Sequence, residues 1–350
     1  MKRKRNLKTL TIMFAVLMLL LAACSNKSSG DTKGSETEDG LSVGYYVNHT
    51  LGDKSFFDSA KRGVDKAEAE LGYKAKTIEG GTNQGDWAAG LESMVASKEY
   101  DVIVVGTSQM TEIVGEIAQK YPDQDFIFFD DVVADRDNVY SMTYSQSEGS
   151  FLAGAFAALV TTSSELSGAN AEKVIGFVGG MDIPIINDFK SGFEQGAAHI
   201  DSGVQVIASY IGNFADAPKG KELALAQIKS QNADIVYQVA STAGLGVLEA
   251  ANEEGVYSIG VDSNQNNLYP GSVLSSMLKN IDNSVFRALE LYKEGKLEFG
   301  TQEQLGIKEG GVGLAKDDLY EEHVPQSIRD KMTEVEEKLK SGEIVVESSL

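Results

Sequence analysis

The chain of 350 residues has a single cysteine, Cys24, and only three histidines, His49, His199 and His323. One cysteine excludes an intramolecular disulfide. Scattered histidines without a second thiol give no recognisable zinc spacing, so no metal site and no cofactor is expected. Basic residues are also short, with 31 Lys and Arg against 52 Asp and Glu and a formal charge of −21. That deficit argues against nucleic acid and against an anionic lipid surface as partners, because both require cationic footprints. Past the first two dozen residues there is no apolar run that could cross a bilayer.

Those first residues read as a processing signal. Lys2, Arg3, Lys4, Arg5 and Lys8 form a basic start, and residues 10–21 are an apolar run of signal length. Leu21-Ala22-Ala23-Cys24 follows, with small residues before a cysteine, as the lipoprotein signal peptidase requires. A lone thiol in an oxidising compartment has no partner to pair with, so acylation explains Cys24 better than an ordinary cleaved signal does. Each buried methylene contributes roughly 0.8 kcal/mol, enough for two or more acyl chains to hold a protein at a membrane. Residues 25–40 contain no large apolar side chain and read as a flexible tether. Removing five signal cations leaves 26 bases against 52 acids, a charge of −26 on the mature chain. The expectation is a lipid-anchored protein on the extracellular face of the cell membrane.

From residue 41 short β-branched runs alternate with helical segments, the pattern of βαβ units and a parallel sheet. Strands are expected at 41–47, 74–78, 102–105, 126–129, 139–143, 173–178, 205–209, 235–238, 257–260 and 273–277. Helices are expected near 55–71, 86–97, 112–120, 147–160, 184–198, 219–230, 244–254 and 283–294. Asp216-Ala217-Pro218 supplies a capping carboxylate and a first-turn proline for one of them. Two successive sets of this alternation, divided near Glu148, suggest two similar α/β lobes. The first lobe is expected to hold 41–148 and about 268–300, the second 149–267 and about 301–346, after a signal at 1–23 and a tether at 24–40. In open sheets of this kind ligands sit beyond the carboxyl ends of the strands. The segments to examine are therefore 48–57, 106–109, 130–131, 179–183, 214–216, 240–246 and 262–265.

Several of these segments carry recognisable motifs. Gly179-Gly180-Met181-Asp182-Ile183-Pro184 is followed by Phe189 and Gly192-Phe193. Phe214-Ala215-Asp216-Ala217-Pro218-Lys219-Gly220-Lys221-Glu222 is a second. Val236-Tyr237-Gln238-Val239-Ala240 with Gly244-Leu245-Gly246-Val247 is a third, and Gly260-Val261-Asp262-Ser263 with Gln265 a fourth; Ser276-Met277-Leu278-Lys279 comes after them. Together they resemble the basic membrane protein family of ABC-transporter solute-binding lipoproteins, which includes purine nucleoside receptors, over residues 41–346. The resemblance implies a type I periplasmic-binding-protein fold, with two doubly wound parallel-sheet lobes joined by three crossovers. It also implies a small-molecule ligand in the cleft, a nucleoside with purine favoured, and an ABC permease as partner. By the same analogy Phe56 stacks on the base, Asp130 and Asp262 accept from ribose hydroxyls, and Lys279 supports them. The ligand-facing set is expected to be Asn48, Phe56, Asp130, Phe214, Gly244, Asp262 and Lys279.

The chain departs from the family pattern at four places. Val47 and then Asn48 stand where an aspartate is common, Phe57 where an asparagine is usual, Ser241-Thr242-Ala243 where Gly-Gly-Thr is, and Asn264 where an aspartate is frequent. Structural readings compete with the functional ones. Phe56 and Phe57 point about 100° apart on a helix, so either one could be core. Asp130 and Asp131 could simply stop a strand, and Asp262 could form a turn. Gly244 and Gly246 lack the Gly-Lys-Ser/Thr of a phosphate loop and fit close helix packing as well. Trp87 could be a ring platform or a core anchor, and His49 a ligand donor or a solvated loop residue. No base beside a nucleophile and no carboxylate cluster supports an enzyme, so no catalytic residue is expected. Sugar binding or signalling on the same fold are the other readings, with a nucleoside hydrolase as the enzyme alternative.

Overall fold

The computed structural model describes residues 40–350, so the expected signal, Cys24 and nearly all of the tether lie outside the described residues. Ten strands fall where the alternation placed them. They are β1 Ser42–Val47, β2 Lys74–Glu79, β3 Val102–Gly106, β4 Asp125–Phe129, β5 Val139–Tyr144, β6 Val174–Gly179, β7 Gln205–Tyr210, β8 Ala233–Val239, β9 Tyr257–Asp262 and β10 Val273–Lys279. Two short strands were not expected, β11 Gln302–Leu305 and β12 Val312–Leu314.

The strands form two six-stranded sheets, ordered β11-β5-β4-β3-β1-β2 and β12-β10-β9-β8-β6-β7. All pairings are parallel except β10 with β12. Every residue of β3 and β8 is buried, as a strand covered by helices on both faces requires. Edge strand β2 instead alternates in exposure and carries Lys74 and Lys76, charges that discourage pairing with another chain.

The helices are α1 Phe56–Lys66, α2 Gln84–Ala96, α3 Thr111–Lys120, α4 Gln146–Thr161, α5 Pro184–Ile200, α6 Ala217–Gln231, α7 Ser241–Glu254, α8 Ile281–Lys293, α9 Asp318–His323 and α10 Gln326–Ser341. As its Asp-Ala-Pro start implies, α6 opens with the Asp216 carboxylate accepting from the Lys219 N–H at 3.0 Å. Helices α4 and α5 cross at backbone contact distance: a Cβ on Gly196 would lie 1.9 Å from the Phe151 carbonyl oxygen, and one on Gly154 2.0 Å from that of Phe193.

The chain passes from the first sheet to the second after β5, returns after β10, and passes again between β11 and β12, which makes three crossovers. This corrects the expected lobe boundaries. Strand β10 belongs to the second sheet, beside β9, although 268–300 was assigned to the first lobe; β11 belongs to the first, beside β5, although it falls after 301. The divisions come at the strand ends, where each sheet gains one more partner, and the sequence alternation alone does not mark them.

Candidate functional site

In each sheet the strand order reverses once, between β1 and β3 in the first and between β6 and β8 in the second. The crevice beyond the carboxyl ends of such strands is where open α/β sheets take ligands. Four of the nine described non-glycine residues with left-handed backbone line one cavity there: Thr107 (φ 79°), Asp130 (78°), Ser241 (49°) and Asp262 (62°). They stand at matching places, Thr107 after β3 and Ser241 after β8, Asp130 after β4 and Asp262 at the end of β9. Conformations that cost of order 1–3 kcal/mol each persist where the surroundings over-determine them, and they concentrate at ligand sites.

The cavity has a volume of about 640 Å³ including its open mouth and takes walls from both lobes. One pole is ionic. Lys279, at the end of β10, is 1% exposed and donates to Asp130 Oδ1 across the lobes at 2.5 Å. Its ammonium also lies 4.7 Å from the Phe189 ring centroid, 5.4 Å from Tyr144 and 5.8 Å from Phe56, so rings flank it. Asp262 Oδ2 accepts from Ser55 Oγ at 2.8 Å. Burial pushes the Asp262 carboxyl up to about 6, against the opposing pull of Lys279 and Ser55, with Asp130 and Asp53 adding to the rise. Burial also raises Asp130, which the Lys279 charge and hydrogen bond oppose.

Asp53 was not among the expected site residues, and its place is structural. Fully buried, it accepts from the backbone N–H groups of Ser55, Phe57 and Asp58, which fixes the start of α1. It also accepts from Ser241 Oγ of the second lobe at 3.0 Å. Burial raises its carboxyl above the ordinary range despite those three amide donors. With Ser263 Oγ donating to the Ser55 carbonyl and Gln265 Nε2 to that of Lys54, these bonds join the two lobes beside the cavity.

The middle of the cavity is aromatic. Phe56 and Phe57 meet edge to face at 5.1 Å, Phe56 leans on Phe129 at 5.4 Å, and His49 stacks on Phe57 at 5.5 Å and 12°. Phe214, half-buried, faces them from the second lobe. Its ring rests over Gly180, where a Cβ would come within 2.3 Å of it. The other pole, beyond β1 and β6, holds Asn48 with Ile183, Ile185 and Ile186.

Six of the seven expected residues line this cavity: Asn48, Phe56, Asp130, Phe214, Asp262 and Lys279. Gly244 does not. It lies in the first turns of α7 against Gln238, whose Oε1 would be 1.8 Å from a Cβ there, so close packing explains the glycine. Trp87 is core, its indole donating to the Gly81 carbonyl at 2.8 Å, and Asp131 accepts from Thr111 rather than facing the cleft. Phe57 and His49 both reach the cavity, and so do Thr107, Gln109, Phe189 and Ser241. Thr107, Gln109 and Ser241 fall in segments that the strand-end rule marks. Phe189 comes from the body of α5, outside those segments, and its signal is its place in the motif that begins at Gly179. Among the described residues no group of His, Cys, Asp and Glu could hold a metal ion, and no helix is long and apolar enough to cross a membrane.

Residues 41–348 match the family model of the PnrA-like ABC transporter substrate-binding proteins. Similar chains include basic membrane protein A2 of Borrelia garinii subsp. bavariensis, 30% identical over 338 residues and 95% of both chains. Another is a CD4+ T-cell-stimulating antigen of Listeria innocua, 28% identical over 371 residues, covering 98% of this chain and 99% of that one. Among solved structures, an ABC transporter solute-binding protein from Aeropyrum pernix superposes with a TM-score of 0.80 at 27% identity, over 88% of this chain and 94% of that one. The chain belongs to the basic membrane protein family of ABC transporter substrate-binding proteins, the PnrA-like group.

Proposed function

We propose that this substrate-binding protein captures a nucleoside, purine favoured, and delivers it to its ABC permease from a lipid anchor at Cys24. The observation that supports the reading is the polarity of the cleft, with two carboxylates and one ammonium at the β4, β9 and β10 ends and ring faces beside them. Ribose hydroxyls can donate to Asp130 and Asp262 and accept from Lys279, while the base lies between Phe56 or Phe57 and Phe214. A free base would leave buried acceptors unpaired and should bind much more weakly. A ligand touching both lobes binds the closed arrangement better than the open one, and that population shift is what a permease can read.

The test is a thermal-shift panel on residues 41–350 with inosine, guanosine, adenosine, uridine, cytidine, the free bases, ribose and galactose. A ligand at one hundred times its Kd stabilises the folded state by about 2.7 kcal/mol, which such a scan resolves. A shift with a sugar alone and none with any nucleoside overturns the reading. For the anchor, Cys24→Ala should leave the membrane fraction or stay an uncleaved precursor while the folded domain keeps its affinity; lipid labelling that survives the substitution refutes it.

A further inference from the structure

We infer that a basic groove across the seam of the two lobes is the surface on which the ABC permease docks, through an acidic segment of that permease; the inference rests on the permease as partner and on no particular ligand. The groove has a volume of about 1190 Å³ including its open mouth and shares no lining residue with the ligand cavity. One wall is Lys54, Lys61 and Arg62, in and just before α1. The other is the loop after β9, where Asn264 and Asn267 are exposed.

The charge of the groove runs against that of the rest of the chain. Past the signal the sequence holds 26 bases against 52 acids, whereas the groove is lined by three cations and one carboxylate, Asp58. That carboxylate is already engaged, accepting from the backbone N–H groups of Gly52 at 2.8 Å and Lys54 at 3.0 Å. Lys61 pairs with Asp65, and Arg62 reaches Asp282 at 3.4 Å; both pairs are solvent-accessible and cost little to exchange for a partner's carboxylate. The Lys54 ammonium is exposed and has no ion partner among the described residues. Its backbone is left-handed, with φ 55°, and is held from both lobes, the N–H by Asp58 and the carbonyl by Gln265. Such backbone at a residue other than glycine persists where the surroundings over-determine it, and it concentrates at functional and switch regions.

A groove built from two lobes reports how they are arranged. Arg62 Nη2 donates to Ser263 Oγ at 3.1 Å, beside the Ser263–Ser55 and Gln265–Lys54 bonds already described. Ser55 links groove to cavity, since it bonds both Ser263 of the one and Asp262 of the other. Lobes that swing apart break these bonds and separate the cationic wall from the amide wall. A partner seated across the groove therefore binds one arrangement better than the other, which couples ligand occupancy to docking. An anionic bilayer gains nothing from a groove assembled by two lobes, and the acid excess of the remaining chain opposes it.

The experiment measures the Kd of the full lipoprotein for its ABC permease–ATPase complex by biolayer interferometry, both in detergent micelles so that no bilayer contributes. Affinity of the unaltered protein should fall as salt rises from about 50 to 300 mM, as an interface between opposite charges requires. Lys54→Glu combined with Lys61→Glu should weaken binding at least about tenfold. Asn267→Glu, which adds a carboxylate on the opposite wall, should weaken it too, and both variants should keep the unaltered Tm. A charge-reversed double variant that binds the complex as tightly as the unaltered protein overturns the inference. So does one that keeps that Kd but loses binding to phosphatidylglycerol vesicles, which would make the groove a membrane face. The two readings fail separately: an unaltered protein that does not bind the complex refutes the permease as partner, whereas binding that ignores charge changes on both walls refutes the groove alone.

Discussion

Asp130 and Asp262 occupy matching places in the two lobes, at the carboxyl ends of β4 and β9, each with left-handed backbone, and both border the same cavity as Lys279. Lys279 extends from β10, the neighbour of β9, yet its ion pair is with Asp130 in the other lobe. One ammonium thus serves two buried carboxyls and ties the lobes together through one of them.

Removing that ammonium should be costly. Lys279→Met leaves Asp130 and Asp262 buried without a counter-charge, and breaking a buried pair from one side typically costs about 3–5 kcal/mol. Denaturant unfolding of the ligand-free protein at pH 7 should show a loss of this size. Adding Asp130→Asn should recover part of it. If the single variant unfolds at the same midpoint as the unaltered protein, the pair is not a determinant of stability.

The raised Asp262 carboxyl has a defined pH signature. Its folded value, about 6, exceeds the ordinary 3.8, so the folded state holds the proton more tightly than the unfolded chain. The stability that this group contributes is fully present below 3.8 and is lost as pH rises to about 6. Asp262→Asn should abolish that slope, so that the stability difference between variant and unaltered protein grows in favour of the variant across this window. Affinity for a ligand that donates a hydroxyl to Asp262 should move the other way and fall below about pH 6, because the protonated carboxyl is a poorer acceptor. Parallel denaturation and Kd measurements from pH 4 to 8 test both, and a flat difference profile refutes the assignment.

The parts of this molecule that were legible in the sequence are those with a local cause. Val102-Ile103-Val104-Val105 reads as a doubly covered strand because nothing else buries four successive apolar residues in so short a run. Asp130 and Asp262, which line the cavity, fall in segments that the strand-end rule marks, and the family resemblance singled them out there. Strand β11 escaped notice because Gln302-Glu303-Gln304 is polar and pairs only at a sheet edge, a tertiary circumstance. Helix α10 is different: Ile328, Met332, Val335 and Leu339 repeat at helical spacing and are all buried, so its signal was present in the sequence. Gly244 was misplaced because a glycine after a strand looks the same whether it faces a ligand or Gln238.

The two aromatic walls should separate binding from stability. Phe56 is mostly buried, packs on Phe57 and Phe129 and belongs to the main core, so Phe56→Ala should lower both the apo Tm and the affinity. Phe214 is half-buried, so Phe214→Ala should lose about 1–3 kcal/mol of stacking with little change in apo Tm. Gly180→Ala should mimic it, since the new Cβ displaces the Phe214 ring. Calorimetry and thermal scans on the three variants check the pattern. Unchanged affinity in Phe214→Ala would remove that ring from the binding wall.

Closure can be tested through two serines that bridge the lobes in opposite senses. Ser241 of the second lobe donates to Asp53 of the first at 3.0 Å, and Ser55 of the first donates to Asp262 of the second at 2.8 Å. Asp53 keeps three backbone donors when Ser241 is truncated, so Ser241→Ala removes a closing contact at little cost to the fold. A hydrogen bond to a charged group contributes about 1.5–3 kcal/mol, so the ligand-free equilibrium should shift toward the open state by roughly ten- to a hundredfold. The ligand must then do that closing itself, and its apparent affinity falls by the fraction of molecules no longer closed. Ser55→Ala also removes a closing contact, but it frees Asp262 Oδ2 for a ligand hydroxyl, so its affinity loss should be smaller. Small-angle scattering should give a larger ligand-free radius of gyration for Ser241→Ala, returning to the unaltered value at saturating ligand. An unchanged radius together with an unchanged Kd would show that the Ser241–Asp53 bond does not hold the lobes together.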